Sequence, residues 1–131
     1  MPTIQSGWIW ADLGCKHDTS AEIANADVVI VTVPVPVAGT VKAIKLVADI
    51  LPTSATVVVS KAVGTTDTNL AASVTINSAL TANVAYDVTV YTNAQTMHVS
   101  ATDMLRATWT FTTIGSGEGF GCLVAIEPDF W

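Results

Sequence analysis

Charge is scarce in this 131-residue chain, where 12% of the residues are Asp, Glu, Lys or Arg, about half of the usual quarter. Lys16, Lys42, Lys45, Lys61 and Arg106 face eleven acidic residues, for a formal charge of −6. Scattered cations in a repulsive field offer no footing for a row of phosphates, so no nucleic-acid partner is expected. Cysteine is almost absent. Cys15 and Cys122 are too few and too far apart for a zinc site or a disulfide scaffold, and a domain of this length folds without such a staple. Long apolar runs are missing too. Crossing lipid takes roughly 18 consecutive apolar residues, whereas the longest run here, Val28 to Val37, is broken by Thr32, Pro34 and Pro36. No membrane span is expected. The N-terminus lacks the basic flank and apolar core of a secretory signal, carrying Asp12, Asp18 and Glu22 instead, so no such signal is expected.

What the chain has in plenty is apolar surface: half of its residues are hydrophobic and the mean hydropathy is +0.52. The few charges are uneven. Residues 1–61 carry a net −1 and residues 62–131 a net −5, Arg106 standing against Asp67, Asp87, Asp103, Glu118, Glu127 and Asp129. A small monomer normally coats itself with both signs. A surface this poor in charge is expected to be covered by other protein.

Two textures divide the chain. The first 26 residues, with Trp8 and Trp10 beside Gly7 and a polar mixture through His17, Thr19 and Asn25, read as an irregular arm with a turn of helix near Ser20 to Ala24. From Asp27 onward Val and Thr dominate in runs that suit a pleated, half-buried surface. Strands are expected at Val28–Pro34, Thr40–Asp49, Thr56–Ala62, Ala72–Ile76, Ala85–Tyr91, Thr96–Val99, Met104–Thr112 and Phe120–Glu127. The alanines around Asn69–Ser73 and Asn83–Ala85 would also suit a helical turn. In Met104–Phe111, Leu105, Ala107, Trp109 and Phe111 share one face and Arg106, Thr108 and Thr110 the other, the pattern of a core-facing strand. Pro34 and Pro36 cannot donate to a ladder, so the first of these strands ends there or runs along an edge. Eight short strands without a helical crossover imply an all-β fold, an antiparallel eight-stranded jelly-roll sandwich or barrel over residues 27–131 with residues 1–26 as its arm. An immunoglobulin-like sandwich is second, weakened because the expected Cys-Trp-Cys spacing is absent, Cys15 lying in the arm outside the strands.

Chemistry-bearing clusters are thin. Cys15-Lys16-His17-Asp18 combines a thiol, an imidazole and a carboxylate, but adjacent residues rarely converge on one point. His98 has no second ligand beside it in sequence. The glycines of the Gly115–Gly121 stretch match neither the spacing nor the context of a phosphate loop and read as a hairpin between the last two strands. Asp103 and Arg106 read as one ion pair at a strand start. No catalytic residue, metal or cofactor is assigned, and an enzyme is not expected. Trp8, Ile9 and Trp10 form the arm's only concentrated apolar surface and are the candidate docking residues, as tryptophan is enriched at the centre of protein interfaces. Phe130 and Trp131 end the chain on two aromatics, a candidate subunit interface.

The stretch Val31–Lys61 resembles small structural proteins of tailed bacteriophages, in particular capsid decoration or cement proteins. It runs a strand into the proline-containing Pro34-Val35-Pro36, through Ala38-Gly39-Thr40-Val41 into a mixed strand, and through Leu51-Pro52-Thr53 into a third. Ser100-Ala101-Thr102-Asp103-Met104-Leu105 is similar to the turn that opens their next-to-last strand, with Thr102 where Gly is usual. The resemblance covers roughly residues 27–128 and no part of the arm. It implies a jelly-roll homotrimer on the capsid exterior of a virion, clamping neighbouring copies of the major capsid protein. Similar modules occur in phage fibres and tails, and a carbohydrate-binding β-sandwich is a further reading, for which Tyr86, Tyr91 and Trp109 would have to line a sheet face.

Overall fold

In a computed structural model, residues 7–15 and 23–130 are described. They form two antiparallel sheets. Sheet A runs in the order β1 (Ile9–Asp12), β10 (Glu118–Pro128), β3 (Gly39–Ile50) and β7 (Tyr86–Val88), with β8 (His98–Val99) also on β3. Sheet B runs in the order β2 (Asp27–Pro34), β9 (Met104–Thr113), β4 (Ser54–Val63) and β5 (Thr66–Asn69), with β6 (Val74–Thr75) also on β4. The alternation of apolar and polar residues explains the pairing. In β9 every second residue from Leu105 to Phe111 is buried, and in β10 Phe120, Cys122, Val124 and Ile126 are buried. The two inner faces meet where Phe120 of sheet A lies 4.9 Å from Phe111 and 6.0 Å from Trp109 of sheet B, ring centre to ring centre. Such tilted contacts suit the quadrupoles of aromatic rings.

The expected arm is part of this sandwich. Ile9–Asp12 pairs with Leu123–Ile126, and the backbone N–H groups of Leu13 and Cys15 donate to the carbonyls of Cys122 and Phe120 at 2.8 and 3.0 Å. Leu13 is 0% and Ile23 2% exposed, in the same core cluster as Trp109 and Phe120. Residue 27 therefore does not mark where packing begins. The reason is topological: without β1, the side of β10 opposite β3 would be bare. Residues 16–22 and 131 lie outside the described residues, and with them most of the expected helical turn, the Lys16-His17-Asp18 triplet and Trp131.

Other differences are local. Ten strands are present among the described residues, two of them of two residues each. The Thr96–Val99 segment keeps only His98–Val99 as strand, because Ala94–Met97 is a single helical turn whose Thr96 N–H is capped by the Asn93 side chain at 3.0 Å. A second turn, Ile76–Ala79, replaces the end of the Ala72–Ile76 strand. Residues 115–117 do not close a hairpin: they carry the chain from sheet B to sheet A, against the loop at Pro52 and Thr53. Gly115 and Gly119 take φ of +56° and +72° there, a region open to glycine at little cost. Pro34 does end an edge strand, as its missing N–H demands.

Candidate functional site

An extended strand sends alternate side chains to opposite faces, and this splits the tryptophan segment. Trp10 and Asp12 face outward from sheet A, with Trp8 two residues before Trp10; Ile9 and Ala11 face inward, Ile9 in register with the fully buried Ile126. Of the three candidate docking residues, Trp8 and Trp10 are thus exposed, at 45% and 40%, while Ile9 serves the core side.

The outer face of sheet A continues from these tryptophans across three strands. Trp10 is opposite Ala125, which is opposite Ala43, and the next row runs Asp12, Leu123, Lys45 and Asp87. Lys45 donates to Asp87 at 2.6 Å, closing the far end of that row. Leu123 is 42% exposed. Beside it Gly121, opposite Val47, leaves a depression of about 270 Å³ bounded by Asp12, Lys45, Val47, Ala85 and Leu123. A Cβ at Gly121 would stand 2.7 Å from the Val47 Cγ1, so glycine is what keeps the depression open. The face is largely apolar, with one acid and one internally neutralised ion pair along its rim. Chemically it can bury an apolar side chain of a partner; it holds no nucleophile with a base.

The remaining candidates are not brought together. Phe130 is exposed at the opposite end of β10 from the Gly115–Gly119 loop, where Asp129 is anchored by its N–H to the Ala38 carbonyl at 3.0 Å and by its carboxylate to His98 Nε2 at 2.9 Å. Asp103 does not pair with Arg106. Its carboxylate accepts the Ser100 N–H at 2.8 Å, while Arg106, on the outer face of sheet B, reaches both carboxylate oxygens of Asp67 at 2.7 and 2.8 Å. Cys15 and Cys122 stand as buried thiols. Burial first, and the Asp12 carboxylate second, push Cys122 up to about 12, which keeps it protonated and poorly nucleophilic. Trp109 is fully buried with its Nε1 unpartnered, which removes it from any sugar-binding face. Among the described residues no three His, Cys, Asp or Glu side chains are grouped to hold a metal, and no helix is long and apolar enough to cross a membrane.

No family model, curated protein or solved structure matches the chain. The sequence analysis missed Leu123, Val47 and Gly121 as parts of the site. Gly121 and Leu123 in β10 and Val47 in β3 alternate with buried residues, which the sequence pattern carries, but only the pairing of β1 with β10 aligns them with Trp10.

Proposed function

We propose that the chain is a non-enzymatic structural subunit of a tailed-phage virion, a decoration protein that docks on the capsid exterior and links neighbouring major capsid proteins as a homotrimer. The observation that carries the reading is the outer face of sheet A, which leads from the exposed Trp8 and Trp10 through Leu123 to an apolar depression at Gly121 and Val47. Large aromatic anchors beside a pocket are the usual centre of a protein interface. Strand order supports the jelly-roll part of the proposal. From β1 to β4 the chain alternates between sheets A and B, then passes through β5 and β6 in B, β7 and β8 in A, β9 in B and β10 in A. Counting β5 with β6 and β7 with β8 as interrupted strands leaves eight, the number of a double Greek key. Sparse charge and the exposed Phe130 support a subunit contact, and closed rotational symmetry would cover it without fibre growth.

The test is co-sedimentation with undecorated capsids of the phage that encodes the chain. Wild-type protein should pellet with them, and the Trp8→Ala/Trp10→Ala variant should bind at least tenfold more weakly while its thermal unfolding stays cooperative. Equal binding by the two proteins would refute docking through this face, and no binding by the wild type would refute the capsid assignment.

A further inference from the structure

The edge of a sheet carries a row of backbone N–H and C=O groups without a ladder partner, a template for another strand unless it is short, bulged, charged or covered. Most edges here are blunted by length: β1 and β5 have four residues each, β7 three, and β6 and β8 two. β2 is different. It runs eight residues, pairs with β9 at all eight, and among the described residues nothing pairs with its other side. Its pairing shows no bulge, and it contains no Lys or Arg; Pro34 has no N–H at its last position, and at its first the Asp27 N–H already donates to the Ala24 carbonyl at 3.2 Å. Val28 and Ile30 are 55% and 58% exposed.

We infer that β2 is a homotypic docking strand, through which two copies of this chain pair antiparallel across a two-fold axis and join their five-stranded B sheets into one. Paired residues must share a face, and among the registers that satisfy this the one that uses all of Asp27–Val33 and leaves out Pro34 sets Ile30 opposite Ile30 of the second copy. Val29 then meets Val31, Val28 meets Thr32, and Asp27 meets Val33. No acid faces an acid, and from Val28 to Thr32 every contact is apolar against apolar or against threonine, Asp27 against Val33 being the exception at each end. Charge favours the same occupant. A second copy brings the same net −6, which most of the surface would resist, but the rows beside this edge, Val28-Thr110-Thr56 and Ile30-Thr108-Val58, carry none. Asp27, the strand's one charged residue, already accepts the Ala24 N–H at 2.8 Å, and Arg106 on the next row is neutralised by Asp67. Isologous pairing closes at two copies and needs nothing from the capsid reading.

Light scattering on the unmodified chain at micromolar concentration should give twice its 13.6 kDa, or six times that where a three-fold contact also forms. A mass of one or three chains would overturn the inference. Ile30→Cys supplies the register test, since paired strand residues sit at Cα separations that a disulfide spans. Air oxidation should link Ile30→Cys into covalent dimers and leave Val63→Cys, equally exposed but off β2, monomeric on a non-reducing gel. Equal linking of both variants, or none of either, would overturn it. Ile30→Lys should halve the light-scattering mass with an unchanged circular dichroism spectrum; an undiminished mass would place the contact elsewhere.

Discussion

Leu13→Ala separates an N-terminal segment that belongs to the core from one that hangs off it. Leu13 is 0% exposed, and its backbone N–H donates to Cys122 at the edge of sheet A. Truncating a fully buried leucine removes its transfer free energy and leaves a cavity, for a loss of about 3–4 kcal/mol. Trp10, three residues earlier, is larger but stands 40% exposed on the outer face, and its truncation should cost no more than about 1 kcal/mol. The smaller side chain is therefore expected to matter more. Urea titration followed by near-ultraviolet circular dichroism gives both values, since Trp109, Phe111 and Phe120 report on the packed centre. Deleting residues 1–26 removes Leu13 and Ile23 together, each worth about 2–5 kcal/mol, from a domain whose whole stability is about 5–15 kcal/mol. The truncated chain should lose its cooperative transition. A Leu13→Ala loss below about 1 kcal/mol, or a truncated chain melting like the parent, would refute the placement of this segment in the core.

Alkaline stability should depend on Cys122. Its thiol is held at about 12 in the fold against an ordinary 9.0, so the stabilisation is complete below pH 9 and is lost as pH rises toward 12, at about 1.4 kcal/mol per pH unit; Cys122→Val should flatten that part of a denaturation series relative to wild type. Gly119→Ala should destabilise by about 1–2 kcal/mol or more, because a Cβ there meets the Asp49 carboxylate at a positive φ; an unchanged melting temperature would contradict this. Arg106→Met should cost only about 1 kcal/mol or less in a chemical melt, since the Arg106–Asp67 pair is 29% and 43% exposed and solvent screens it.

Much of the sandwich was legible from period-two patterning. β2, β3, β4, β9 and β10 emerge within about two residues of their expected ends, because each is long enough for its buried and exposed positions to alternate several times. Short elements fail for the opposite reason. Ile9–Asp12 shows one cycle of alternation, with Trp10 outward and Ala11 inward, which inverts the ordinary preference for burying the larger side chain. Ala94–Met97 is set by an Asn93 cap and not by periodicity. The proposed docking face was half legible. Composition picked out Trp8 and Trp10, but Gly121, Val47 and Leu123 join them only through the β1, β10 and β3 register, which is information about pairs of distant residues.

Where the cations go says how such a surface can recognise anything. Of the four basic residues described, Lys45 is taken up by Asp87, Arg106 by Asp67 and Thr32, and Lys61 by the carbonyls of Gln95 and His98 at 2.9 and 2.8 Å. Each holds one strand or loop of the fold to another. Lys61 ties β4 of sheet B to the helical turn Ala94–Met97 and to β8, which lies on sheet A, bridging the sandwich at its rim. Three of the four are thus spent on internal cross-links, Lys42 alone standing exposed on β3, and the acids that remain give a diffuse negative field. Long-range steering of an acidic ligand is closed to such a chain, and a basic one would find no concentrated target. Shape and apolar contact are left, and they are concentrated at two places: the tryptophan-bearing outer face of sheet A and the bare edge of β2. Because these lie on different sheets, occupation of one would leave the other open, and under the two proposals a subunit so built would join its own kind and a second protein at the same time.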